Sequence, residues 1–316
     1  MTSSEQTYAG AGVSLATAAA IVDRLRTAVG STATPAVAGA FGAFAGLFAI
    51  DEKRLLAAST DSVGSKLVLG RRGDRLRWCG ADLAAHCIND VLTTGAEPLF
   101  FLDYVAANTI DIEQVAELIE GAADVCRVAG CAILGGETAE LPGIYRGDEI
   151  DFCGTAVGVV DRDRVVDGSR VEEGDVVVGY PSAGLHANGF SLVRKIVGDG
   201  TFDADLLLPP TRLYLDDVRL LRTRADVRAL AHVTGGGIAG NLARVLPQGL
   251  GALIDPSSWE RPEVFQWLAD NGVAEDDLRR VFNIGIGYCA IIPAADARDD
   301  DLVIGRIVAG GRVAWA

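Results

Sequence analysis

The chain has 316 residues, 49% hydrophobic and 22% charged, with a net charge of −15 and a pI near 4.6. That length predicts two domains, each able to bury a core, and the composition argues against a disordered chain. The acidic balance argues against a nucleic-acid or anionic-membrane partner, so an anionic small substrate would need locally placed cations, amides or metal.

Residues 1–6 lack the basic start and apolar core of a signal peptide. Residues 27–50 carry no charge, and 36–50 are almost wholly Gly, Ala and Phe. As a helix the apolar run would span only about 22 Å against a hydrocarbon layer of roughly 30 Å. Its glycines and Pro35 weaken a helix further, so a flexible, buried or ligand-covering loop is expected. Next come a strand at 55–60, a helix at 80–94, a strand at 98–106 and an amphipathic helix at 112–129, with Asp111 and Gln114 as a capping box. A short strand at 131–134 runs into a glycine-rich turn, and another strand covers 150–160. The polar stretch 161–175 holds the expected boundary between domains 1–168 and 169–316. Beyond it, strands are expected at 176–180, 251–254, 284–292 and 302–308, and helices at 190–197, 213–221, 238–245 and 262–269. Both halves are therefore mixed α/β.

Six cysteines, with no C-x-x-C pair, read as reduced, mostly buried thiols of a cytoplasmic protein. Three histidines are too few for a rich transition-metal site, which leaves a hard cation held by oxygens, magnesium by default. Directly behind the first strand, Asp61, Ser62, Gly64, Ser65 and Lys66 place a carboxylate, two hydroxyls, a flexible backbone and an ammonium together, a set able to hold a metal and a phosphate. Two further glycine-rich loops carry Glu137 with Thr138, and His186 with Asn188. Asp82, His86 and Asn89 fall on one helix face, with Asp90 beside them; an acid at a helix C-terminus is disfavoured unless a cation offsets it. The run Thr234-Gly235-Gly236-Gly237, with Asn241 just inside the following helix, could receive an anion on its amides. Each feature also has a plain reading: Asp82 as a first-turn acid, Glu137 as an exposed turn residue, His186 as a structural ring, the glycines as a linker. Neither G-x-x-x-x-G-K-[ST] nor a strand followed by G-x-G-x-x-G is present, so any nucleotide is bound by another scheme.

Three stretches are more specific: residues 95–104 (GAEPLFFLDY), 135–143 (GGETAELPG) and 184–194 (GLHANGFSLVR). With 8–13 (YAGAGV), 233–237 (VTGGG) and 261–265 (RPEVF), they resemble the phosphoribosylformylglycinamidine cyclo-ligase family over nearly the whole chain. The resemblance implies a two-domain synthetase fold of mixed α/β type, with an N-terminal sheet that pairs into a barrel shared by a homodimer. It implies a reaction in which ATP phosphorylates the formyl oxygen of formylglycinamidine ribonucleotide and an amidine nitrogen then displaces phosphate. On that basis Asp61, Asp82, Asp90 and Glu137 are expected at Mg2+, and Lys66 at an ATP phosphate. His186 and Asn188 would orient substrate or move a proton. Ser62, Gly64, Ser65, Asn89, Thr138, Thr234, Gly235, Gly236, Gly237 and Asn241 would line the nucleotide site. The chain departs from the family pattern at Ser62, Ser65, Gly240 and Arg26, and in the uncharged stretch 30–35. The rival readings are another ATP-using relative, such as a thiamine-phosphate kinase or selenophosphate synthetase, and a catalytically silent nucleotide-binding partner protein. The first cysteine, Cys79, lies far from the N-terminal position that a selenophosphate synthetase uses.

Overall fold

The computed structural model describes residues 7, 9–12, 15–39 and 41–316. The leader reading of residues 1–6, and Tyr8 and Val13 of the family resemblance, lie outside the described residues.

The first half runs α1 (Leu15–Gly30), β1 (Val37–Ala38), β2 (Gly46–Ala49), β3 (Arg54–Ser62), α2 (Lys66–Arg72), α3 (Leu76–Leu92), β4 (Glu97–Ala107), α4 (Ile112–Ala129), β5 (Ala132–Glu140) and β6 (Ile150–Asp161). Its six-stranded sheet has the order β1-β2-β3-β6-β4-β5. Only β4 and β5 pair in parallel, joined by α4 as the crossover that such a pair requires. Asp111 caps α4 by accepting the Gln114 amide at 3.0 Å. Along β3, Leu55, Ala57 and Ser59 point inward while Arg54, Ala58 and Thr60 are exposed, the period-two pattern of a sheet with one covered face. Helices α3 and α4 cover the inner face, and they approach closely. A Cβ on Gly80 would lie 1.9 Å from the Leu118 carbonyl oxygen, and one on Gly121 1.8 Å from that of Arg77.

Within the stretch expected to be a loop, Val37–Ala38 and Gly46–Ala49 pair as antiparallel strands, with Leu47 and Ala49 packed on the core. No helix among the described residues is long and apolar enough to cross a membrane. The 135–138 segment is also not a turn; it continues β5 at the edge of the sheet. The outer face is left open, exposing Phe48 (48%) and Leu102 (41%), along with Leu134 (64%) at a register shift in β5.

The second half runs β7 (Val176–Pro181), α5 (Phe190–Val197), α6 (Ala204–Leu207), α7 (Leu215–Arg222), β8 (Ala229–His232), α8 (Gly237–Leu242), β9 (Leu250–Ile254), α9 (Glu263–Asp270), α10 (Glu275–Val281), β10 (Ile286–Ile292), β11 (Val303–Ala309) and β12 (Val313–Trp315). The sheet order is β12-β9-β11-β7-β10-β8. All seven residues of β10 are buried, because this sheet is covered on both faces. One face packs on its own helices through Phe190, Ile238, Phe265 and Leu278. The other, through Val178, Leu230, Tyr288 and Ala290, joins the core built around α3. A single apolar cluster thus crosses the seam between the halves, and α3 runs along it.

Candidate active site

A helix facing a second domain can carry polar residues only if that domain supplies partners, since a buried unpaired charge is costly. Asp82 and Lys66 are both fully buried, 2.6 Å apart. Asp82 Oδ1 also accepts the Thr211 amide at 2.8 Å and its hydroxyl at 2.7 Å. The Lys66 ammonium donates to the carbonyls of His186 at 2.8 Å and Pro209 at 3.1 Å. Asn89 donates to Arg212 O at 2.9 Å and accepts the Tyr214 amide at 3.0 Å. These contacts strap residues 209–214 to α2 and α3. They correct three expectations. Every Lys66 N–H is used inside the chain, Asp82 is neutralised without a metal, and both polar atoms of the Asn89 amide are engaged, so none of the three is free to meet a nucleotide.

One turn beyond Asp82, the same face builds a different arrangement. His86 Nδ1 lies 3.4 Å from Asp61 Oδ2, and Asp61 Oδ1 accepts the Ser62 amide at 2.7 Å. Asp90 Oδ1 lies 2.8 Å from His232 Nδ1, and Asp90 Oδ2 accepts the Ser59 hydroxyl at 3.0 Å. The two imidazoles pack edge to face, with centroids 5.0 Å apart and planes at 88°. Burial opposes the Asp61 charge, but the His86 hydrogen bond and charge and the Ser62 amide outweigh it and hold the carboxyl below its usual range. Burial likewise opposes a charge on His86, yet Asp61, with Asp82 and Asp90, carries it above the ordinary histidine value. In His232 burial wins over Asp90 and the ring titrates low. Asp61, with 39% of its side chain exposed, and Asp90, with 14%, are the acids this chain presents at the mouth of the seam. Sequence reasoning passed over Ser59 and His232. The available signals were that Ser59 shares the Asp61 face of β3 and that His232 stands two residues before the glycine run.

Two loops of the second half close on this point. Asn188 accepts the Gly235 amide at 3.0 Å, tying residues 182–189 to the glycine run. Asn241 is buried and donates to the carbonyls of Gly237 at 2.8 Å and Thr234 at 3.2 Å. It is thus a brace for the loop rather than a ligand contact. Gly237 has φ +64°, and a Cβ there would lie 2.1 Å from Arg279 O, so packing alone demands this glycine. The Gly237 amide donates to Thr234 O at 3.1 Å. The loop is therefore not a row of bare amides, which narrows the anion-binding expectation. His186 is fully buried, with φ +59°. Its Nε2 accepts the Ala183 amide at 3.2 Å, which places the ring proton on Nδ1. Burial above all, then electrostatic repulsion from neighbours that include His86, Lys66 and Arg212, keeps this ring neutral with a value well below ordinary. His186 thus closes its own loop through Nε2, while its Nδ1 is buried without a partner. Above the seam, Arg244 stacks on Phe44 at 3.7 Å and donates to Gly42 O at 3.1 Å, docking the hairpin segment against the second half. Ser62, Gly64 and Ser65 lie at the end of β3 and the start of α2, where the Ser65 hydroxyl meets that of Ser191 at 3.3 Å.

Glu137 does not join the other acids. Strand register places Ser62, Cys153, Tyr104 and Glu137 in one row across the sheet, and Asp61, Gly154, Asp103 and Gly136 in the next. Adjacent rows point to opposite faces, so Glu137 is on the outer face and Asp61 on the inner. Three strand spacings, about 14 Å, separate them as well. Glu137 and its neighbour Thr138 are exposed on the edge strand. Among the described residues no group of three or more His, Cys, Asp or Glu could hold a metal by itself. The pair Asp61 and Asp90 still fits magnesium, which commonly takes one or two carboxylates and completes its shell with water and phosphate oxygens.

The two mixed sheets fall in the two domains of the AIR synthase related proteins. Models of their N-terminal and C-terminal domains match residues 42–160 and 172–314. Fold neighbours include a ThiL complexed with AMPPCP and TMP, with TM-score 0.67, 17% identity, and 93% of this chain and 92% of that one covered. Another is the thiamine-monophosphate kinase of Stenotrophomonas maltophilia K279a, with TM-score 0.60, 22% identity and 94% and 95% covered. At such identities the likeness concerns the fold alone. The sequence relatives are nearer. A phosphoribosylformylglycinamidine cyclo-ligase of Synechococcus sp. (strain CC9605) is 44% identical over 98% of this chain and 93% of its own. One of Anaeromyxobacter dehalogenans (strain 2CP-C) is 46% identical over 92% and 89%. The chain belongs to the phosphoribosylformylglycinamidine cyclo-ligase family.

Proposed function

We propose that the chain closes the imidazole ring of formylglycinamidine ribonucleotide with ATP, giving aminoimidazole ribonucleotide, ADP and phosphate. The supporting observation is the convergence of Asp61 and Asp90 beside the Thr234–Gly237 loop, in a chain that is 44% identical to a cyclo-ligase over almost its full length. The formyl oxygen is a poor leaving group. Its attack on the terminal phosphorus of ATP expels ADP; an amidine nitrogen then attacks the same carbon, loses its proton and expels phosphate. Such chemistry needs positioning and charge neutralisation more than covalent help. Asp61 and Asp90 would hold magnesium, which when bound supplies that neutralisation at the phosphates. Gly64 and Ser65 stand in the turn that follows β3, whereas strand register turns Ser62 to the outer face with Glu137. The Asn188 amide nitrogen, buried without a partner, is a donor available to substrate. The Thr234–Gly237 loop would take a phosphate on the amides it has not committed.

Two copies would join through the open face of the first sheet, where Phe48, Leu102 and Leu134 leave apolar surface exposed. Glu137 stands on that face, so its place in this reading is at the junction of the copies. The test is purified chain with ATP, magnesium and formylglycinamidine ribonucleotide, with thiamine phosphate as a parallel substrate. ADP and the aminoimidazole product should form with the first substrate only. No turnover at saturation, or turnover with thiamine phosphate alone, would reject the reading.

A further inference from the structure

All three histidines of this chain are buried in one region, and two of them stand behind the acids rather than in front of them. Each acid is gripped at both oxygens. Asp61 is held by His86 Nδ1 at 3.4 Å and the Ser62 amide at 2.7 Å. Asp90 is held by His232 Nδ1 at 2.8 Å and the Ser59 hydroxyl at 3.0 Å. A carboxylate on a short side chain swings about two torsions, and fixing both oxygens removes that freedom while leaving lone pairs for another ligand. The rings also lock one another, edge to face at 5.0 Å. Their elements are independent: His86 sits one turn before Asp90 on α3, and His232 ends β8, directly ahead of the glycine loop. Edge-to-face packing therefore couples the setting of the two carboxylates across the seam. A purely structural histidine has no need of a carboxylate that is itself partly open to solvent.

We propose that His86 and His232 are positioning residues, each fixing one acid through Nδ1 so that Asp61 and Asp90 are presented at a set spacing to a divalent cation bound with a nucleotide. The inference rests on the reading of those acids under Proposed function. The His232 contact is a short hydrogen bond and the His86 contact a longer ion pair, so the His232 variants should show the larger effect.

The test uses the full chain and four variants, His86→Asn, His86→Leu, His232→Asn and His232→Leu. Asparagine keeps a donor near the Nδ1 position, whereas leucine keeps bulk without one. Mn2+ binding with AMPPCP is followed by electron paramagnetic resonance, and AMPPCP binding is also measured without metal. The leucine variants should lose about 10–100-fold in Mn2+ affinity, the usual effect of removing a partner that orients a ligand, and the asparagine variants should recover most of it. Metal-free nucleotide affinity should stay unchanged. Leucine variants that bind Mn2+ like the wild type, or asparagine variants as impaired as leucine, overturn the proposal. Nitrogen-15 spectra of the histidines in the metal-free wild type need no variant to fold. Protonated, slowly exchanging Nδ1 at His86 and His232 is expected, and Nδ1 without a proton at both overturns the proposal. A wild type that binds Mn2+ with AMPPCP yet forms no aminoimidazole product refutes the reaction and not the positioning.

Discussion

Replacing Lys66 by methionine separates the role read from sequence from the one the fold assigns. The ammonium is fully buried, 2.6 Å from an equally buried Asp82, and donates to two carbonyls from the other half of the chain. Removing one partner of such a pair leaves a charge in low dielectric, which typically costs about 3–5 kcal/mol. Thr211 still gives Asp82 Oδ1 two hydrogen bonds, at 2.8 and 2.7 Å, which favours the lower end, about 3 kcal/mol. Urea unfolding followed by intrinsic tryptophan fluorescence, to which Trp78 on α3 contributes, would read the loss. A double variant with Asp82→Leu removes the orphaned charge and should recover much of that loss, a coupling that a double-mutant cycle measures. AMPPCP affinity of the folded variant should stay near wild type. Unchanged stability with a selective loss of nucleotide affinity would refute the reasoning and return Lys66 to the phosphate.

Asp61→Asn and Asp90→Asn should each lower turnover about 100-fold or more while leaving circular dichroism unchanged; wild-type turnover in both would remove the assignment of these acids. Gly121→Ala places a methyl 1.8 Å from Arg77 O and should destabilise the chain by about 3 kcal/mol, with a loss under about 0.5 kcal/mol showing that α3 and α4 part easily. His186 is held neutral in the native state while an unfolded histidine protonates near pH 6.5, so its contribution is intact above about pH 6.5 and lost as pH falls, by about 1.4 kcal/mol per unit until the native ring also protonates. Urea midpoints at pH 7.5 and 5.5 should therefore differ less in His186→Leu than in wild type, and equal differences would contradict the buried neutral ring. Leu102→Asp, on the open sheet face, should give a monomer by analytical ultracentrifugation, and a wild type that is already monomeric would exclude the proposed junction.

The pattern of side chains along the chain was enough to determine most elements. The bounds of α4 follow from its Asp111 cap and its periodic apolar face, and β3, β4 and β6 appear within two residues of their expected ends. Such features depend on neighbours a few residues apart. The positions of Asp61 and Asp90, one at a strand end and one at an unfavourable helix end, were legible for the same reason. Segments with little apolar periodicity, such as α10 and the β1–β2 hairpin, were missed because their stability comes from what they pack against. Which polar groups meet was decided only in three dimensions. The partners of Asp82 and Asn89 lie 129 and 125 residues away, across a seam between halves that no local pattern encodes. Glu137 was separated from Asp61 by strand register, since a step of one residue turns a side chain to the opposite face. Local chemistry chose the candidates, and long-range packing, which must pair every charge it buries, assigned some to the scaffold and left Asp61 and Asp90 at the opening.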